Sequence, residues 1–437
     1  MAQIIAPSLR EHRESKSNKL AKGSLSALVV ILFASFIILS VMGGGTIAFL
    51  SLIGIAICIT CLFRREVRID WWIFIPLAVY LIMNLISSWT THENIMRGYG
   101  CLHLIFLTLY AASCSLKTNE ANLLRCLCVL WAGIAAVVSV VAFTYQAFFV
   151  SPTRLEFVIG SPNGLGIFLV LSWFALQSCR MTEERGKIFT IVERFEPFIL
   201  VALAMTLSMG SVAALVVGLI VLFVSQGRST SWKQSAHFMV ALVGKVVLCL
   251  AIGFLMYMAA ERADAPILCV AILAYLVFMV ILWKRFGEFL ERSFKVALTI
   301  SILGLLCIPF ALFMRPSVLF TFSERLAMMA NTNHIHNVFI HVGVEFGLIA
   351  MISLIVIAVR VFIKRYREAQ HGEDAAFLFH LLTDTGFYYV GIVSTFILTA
   401  GGSTTPTKKL SAIGTKLLFG TLCLLHFAIL WIYLGSF

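Results

Sequence analysis

Two arginines and two histidines crowd the one polar stretch of an otherwise apolar chain. In TFSERLAMMANTNHIHNVFIHVGVEFGLIA, residues 321–350, Arg325 stands eleven residues before His336, with His334 between them and Arg315 just upstream. A planar guanidinium binds two oxygens at once and so suits phosphate or pyrophosphate. A histidine beside it accepts a proton near neutral pH. The grouping fits transfer from an anionic donor to an acceptor hydroxyl. Arg325 and His336 are then the reacting groups, and Arg315 and His334 touch the substrate.

The loop runs into an apolar segment at Asn337, which marks a helix start. Asparagine there caps free backbone N–H groups. The same N–H groups attract anions, which counts Asn337 among the substrate contacts, and they keep His336 a neutral base. His341 and Glu345 are four residues apart on one helix face and are expected to pair in a structural role. On a straight helix Glu345 lies half a turn out of phase with His336. No single face unites His334, His336 and His341, so these residues call for no metal, and no cofactor is expected. Arg154, in SPTRLEFVIGSPNGLG, is a second outward arginine. It either joins Arg325 on a pair of phosphates or stays a local anchor near Glu156. Lys245, His380 and Asp384 stand inside apolar runs, where a charge needs a partner or water. A Lys245 bridge to Asp384 or Glu345 is one account, and a proton or ion path is the other.

Helices in a bilayer must carry these side chains. Hydrophobic residues make up 60% of the 437, only 12% are charged, and the mean hydropathy is +0.98. That composition excludes an ordinary soluble domain. Apolar runs of membrane-crossing length fall at 24–42, 45–63, 71–89, 101–116, 126–150, 163–179, 197–208, 212–226, 236–260, 266–283, 296–314, 338–363, 375–401 and 417–436. The expectation is an all-α polytopic membrane protein of 12–14 transmembrane helices: a basic tail over 1–23, then one membrane domain over 24–437. The runs 197–208 and 212–226 are short, and form one long helix or a pair broken at Ser208-Met209-Gly210-Ser211. The first run is too long for a cleaved leader and reads as a retained helix. The eleven cysteines lie almost wholly in apolar runs and serve as small filler.

The net charge of +12 does not point to nucleic acid, because the basic residues are sorted by loop. With the first segment inside, alternate loops hold 23 Lys and Arg inside and 8 outside. This follows the positive-inside rule and places the 315–337 loop outside and both ends of the chain inside. Lys408 and Lys409 fall outside and are the exception.

From about residue 140 onwards the chain resembles the O-antigen ligase and O-antigen polymerase superfamily of bacterial envelope glycosyltransferases. His336 and Asn337, nine intervening residues and then Gly347 reproduce its histidine motif, closed by Ala350. SERLAMM is similar to its periplasmic arginine segment, with Arg325 as the essential arginine. RLEFVIGSPNGLG is similar to its entry to the sixth helix, through Arg154, Phe157 and Gly160. The resemblance implies a GT-C-like bundle in the inner membrane and a metal-independent, inverting transfer at the periplasmic face. Its donor would be an undecaprenyl-pyrophosphate-linked glycan, and its acceptor a sugar hydroxyl of lipid A–core, a growing glycan or a protein, with membrane lipid around it. The chain departs from the pattern at Met209, where the family carries an arginine, in its short arginine-to-histidine loop, and in an added apolar pair near 236–283. The rival from another class is a lipid-linked oligosaccharide flippase or exporter, which predicts a charged central cavity and two related halves.

Overall fold

Long apolar runs have no water to satisfy their backbone, so they close their hydrogen bonds within helices. The computed structural model describes residues 26–41, 47–64, 66–90, 94–150, 154–156, 159–181, 187–229, 231–260, 264–314, 337–367, 372–384, 389–400 and 408–434. The helices are α1 (Ala27–Val41), α2 (Ile47–Leu62), α3 (Trp71–Thr90), α4 (Asn94–Ser113), α5 (Thr118–Gln146), α6 (Pro162–Met181), α7 (Lys187–Val192), α8 (Glu196–Met205) and α9 (Met209–Ser229). They continue as α10 (Trp232–Ala260), α11 (Ala265–Arg292), α12 (Phe294–Met314), α13 (Val338–Phe346), α14 (Leu348–Arg367), α15 (Gly372–Thr383), α16 (Val390–Ala400) and α17 (Ala412–Leu434). Among the described residues α5, α6, α9, α10, α11 and α17 are long and apolar enough to cross a membrane, and seven shorter apolar helices accompany them. The protein is an all-α polytopic membrane protein.

Three of the apolar runs are interrupted. The pair at 197–226 is broken between α8 and α9, where Leu207 takes a positive φ of 49°. The run 338–363, read as one helix, divides at Gly347, whose φ of 91° ends α13 and starts α14. The run 375–401 likewise becomes α15 and α16. Each break carries an acid, Glu345 at the first and Asp384 at the second, but the flanking residues are apolar enough for hydropathy alone to read through. Within the polar segment 180–196, Lys187–Val192 form the short α7 and Glu193–Phe195 a 3-10 turn. Two of the segment's acids, Glu193 and Glu196, fold inward onto Arg180.

Two short strands, β1 (Arg68–Ile69) and β2 (Lys408–Lys409), form an antiparallel ribbon with Arg68 opposite Lys409. Lys409 also pairs with Glu66, and its ammonium holds that carboxyl below its ordinary pKa. This overturns the placement of Lys408 and Lys409 on the side opposite residues 64–70: the two segments share one end of the bundle. Arg64 binds Ser26 at 3.1 Å, so α1 starts at that ribbon end too. Helix α17 leaves it over 23 residues, about 34 Å at 1.5 Å per residue, so Leu434 points to the far end. Among the described residues, α1 thus starts and α17 finishes at opposite ends of the bundle, because the 375–401 run turns back on itself.

Candidate functional site

The far end gathers the polar side chains around α13. Asn337 stands in extended conformation before that helix, and its Oδ1 accepts from the Ile340 N–H at 3.1 Å, the expected cap. His341 Nε2 lies 2.6 Å from Glu345 Oε1, the expected pair. The motif's asparagine and glycine thus bound one nine-residue helix, Asn337 as its N-cap and Gly347 as its C-cap. Arg315, Arg325, His334 and His336 lie outside the described residues. Asn337 follows His336 directly in the sequence.

Helix α13 packs against α3, α14 and α15. From α3, Ser87 Oγ donates to the Glu345 carbonyl oxygen at 2.6 Å. One to two turns away, Tyr80 Oη lies 2.8 Å from His103 Nδ1, and Asn84 Nδ2 donates to Tyr80 Oη at 3.3 Å. Tyr80 meets Phe346 edge-on. Tyr80, Asn84 and His103 are fully buried, and sequence reasoning did not single them out. The signal existed: an asparagine and a histidine inside two apolar runs are costly unless partnered, and here each partners the other.

A second polar group lies at the α8–α9 break. Arg154 Nε donates to the Thr206 carbonyl at 2.9 Å, and Nη2 donates to Asn163 Oδ1 at 3.0 Å and the Leu207 carbonyl at 3.3 Å. It therefore ties up carbonyls that the end of α8 leaves without helical partners. The Ser208 and Ser211 hydroxyls share a hydrogen bond of 2.8 Å, and Ser208 Oγ accepts from the Ser211 N–H. Gly166 permits the contact: a Cβ there would come within 2.5 Å of Ser211 Oγ. Met209, at the family's arginine position, is 55% exposed.

No protein-family model, curated protein or solved structure matches this chain.

Lys245 bridges to neither Asp384 nor Glu345. It lies over Trp283, 6.0 Å from the ring centroid, and its charge reaches Glu196 at the start of α8. Glu196 is fully buried and accepts from Trp283 Nε1 at 2.7 Å, Gln177 Nε2 at 2.9 Å, Arg180 Nη2 at 3.0 Å and Trp173 Nε1 at 3.1 Å. With its acceptor sites filled by protein, this cluster joins α6, α8, α10 and α11 rather than holding a ligand. The interior pair of Asp70 and Arg360, at 3.1 Å, does the same for α3 and α14 near the ribbon end.

Proposed function

We propose that this protein is an envelope glycosyltransferase of the O-antigen ligase type. It would move a glycan from undecaprenyl pyrophosphate to a sugar hydroxyl of lipid A–core. The observation that supports this reading most is that the His–Asn…Gly motif coincides with a single folded unit. Asn337 caps α13, Gly347 ends it, and His336 is the residue before the cap. In this reading the acceptor oxygen attacks the anomeric carbon, the bond to the pyrophosphate oxygen breaks with inversion, and His336 takes the hydroxyl proton. Arg325 binds the pyrophosphate, with Arg315 and His334 beside it. Arg154 serves by holding the α8–α9 break in shape, given its bonds to Thr206 and Leu207. Polymerase and protein oligosaccharyltransferase activities follow from the same site logic.

The ribbon end is assigned to the cytoplasm. With Lys408, Lys409 and Lys416, in the first turns of α17, moved to that end, 26 basic residues lie there against 5 at the far end. The α13 site then faces the periplasm of a bacterial inner membrane, and Leu434 lies on the periplasmic side. A second reading, a lipid-linked oligosaccharide exporter, draws support from the buried Glu373, Asp374 and His380 of α15.

The test is glycan transfer by the reconstituted protein with verified donor and acceptor. His336→Ala should lower the rate by a factor of about 10² to 10⁴, the usual cost of losing a positioned base, at unchanged expression. Arg325→Lys should be nearly as damaging as Arg325→Ala, because lysine keeps the charge and loses the fork. Near-normal transfer by His336→Ala removes that residue from the mechanism, and no transfer by the unaltered chain counts against the enzyme reading.

A further inference from the structure

Helix α15 carries more ionisable residues than an interior helix needs for packing. Glu373 and Asp374 are 1% exposed, His380 is fully buried, and Asp384 follows one turn later with a side chain 13% exposed. Glu373, His380 and Asp384 are spaced i, i+7 and i+11, which puts His380 and Asp384 on either side of Glu373, each within about 20° of it, on one helical stripe. The helix begins inside the bundle: Gly372 abuts the carbonyl of Gly218, midway along α9. It ends at the far end, where His380 and Thr383 lie against Gly210 in the first turn of α9.

His380 is the decisive residue. Neither ring nitrogen has a hydrogen-bond partner, although the ring is fully buried. Nε2 faces Asp384 Oδ2 at 3.7 Å, a gap that a shifted rotamer or a bridging water closes. The inner end is charged as well. Glu373 accepts from the Thr399 hydroxyl, and Arg125 Nε donates to the Thr399 carbonyl at 2.8 Å. Among the described residues, the other elements packed on α15 bring little charge to His380. Helix α16 has no ionisable residue, and α9 has only Arg228, in its last turn. Helix α6 has Cys179 and Arg180 at its C-terminal end. Helix α14 has Arg360, bound to Asp70, and the basic residues that follow it. Helix α13 has His341 and Glu345, which bind each other. Asp384 is therefore the charge that His380 answers to.

We propose that the Glu373–His380–Asp384 stripe is a proton-transfer path that enters the bundle from the far end, so that this protein conducts protons in its working cycle. A proton taken up on Asp384 passes to His380 Nε2 and a proton leaves His380 Nδ1 towards Glu373; a half-turn of the ring then carries the protonated Nε2 inward and brings the bare Nδ1 to Asp384 for the next proton. Protons are conserved at each step, and no redox partner is needed. Histidine is suited to this relay because it can hold a proton on either nitrogen. Interior ionisable residues aligned along a membrane helix are the usual material of such relays. The path does not depend on whether the loop site transfers glycans.

The full chain reconstituted in liposomes loaded with a pH-sensitive dye tests it. A potassium diffusion potential, interior negative, should drive luminal acidification severalfold faster than in protein-free vesicles. His380→Phe, which keeps a ring and removes both nitrogens, should return the rate to the protein-free value, as should Asp384→Asn. Trp431→Phe, on an exposed face of α17, should leave it unchanged. Elution of the variants as the same monodisperse species as the unaltered protein separates loss of the path from loss of the fold. Flux by the unaltered protein no faster than protein-free vesicles overturns the proposal. So does undiminished flux in well-folded His380→Phe.

Discussion

A carboxylate taken out of water costs several kcal/mol unless donors replace its hydration, and Glu196 has two indoles, an amide and a guanidinium doing so. Glu196→Gln would remove the carboxylate charge facing Lys245, leave Arg180 with Glu193 alone, and turn part of the cluster into donors facing donors. Breaking a buried pair costs about 3–5 kcal/mol, so the variant should unfold at a clearly lower temperature in detergent. An unchanged melting curve would show that the cluster does not hold α6, α8, α10 and α11 together. Whether a residue's role is legible in the sequence depends on how far away its partner is. The Asn337 cap and the His341–Glu345 pair are local, three and four residues apart, and both follow from spacing. Trp283 is 87 residues from Glu196, and Arg360 is 290 from Asp70. No periodicity connects such pairs, and reading Lys245 against Asp384 or Glu345 fails for that reason.

Breaks in helices, rather than helices themselves, shape the far end. The α8–α9 break was foreseeable because Ser208 and Gly210 interrupt the apolar run, and it is held by Arg154 from outside and by the Ser208–Ser211 pair within. The break at Gly347 falls two residues after Glu345 in an otherwise mostly apolar run, where the glycine marks the place. Packing here depends on small residues. Gly166→Ala would drive a methyl into Ser211, and overpacking of this kind costs about 1–3 kcal/mol. Adding Ser211→Gly should recover most of that loss in the same thermal assay. If Gly166→Ala alone is neutral, α6 and α9 do not meet as closely as their glycine contact requires.

The ribbon of β1 and β2 decides how the whole molecule is threaded. Cysteines at Arg68 and Lys409 would stand as direct cross-strand partners, about 4.5–5.5 Å apart between Cα atoms and within disulfide reach. Arg68→Cys/Lys409→Cys should therefore cross-link under mild oxidant in membranes. Placement on opposite faces of a hydrocarbon core about 30 Å thick forbids it, so a failure to cross-link, with both cysteines shown to be reactive, restores the alternating arrangement read from the loops. The same arrangement bears on synthesis. Helix α17 packs along α2, with the His426 ring lying over Gly54 and bonded to Thr108. Everything between Leu62 and Ala412 leaves the ribosome before that partner exists. Until then the Gly54 face of α2 is open to lipid or to whatever insertion factor shields it. Truncation before α17 would thus release a chain whose second helix never finds its seat, and the cell's membrane proteases would meet that surface first.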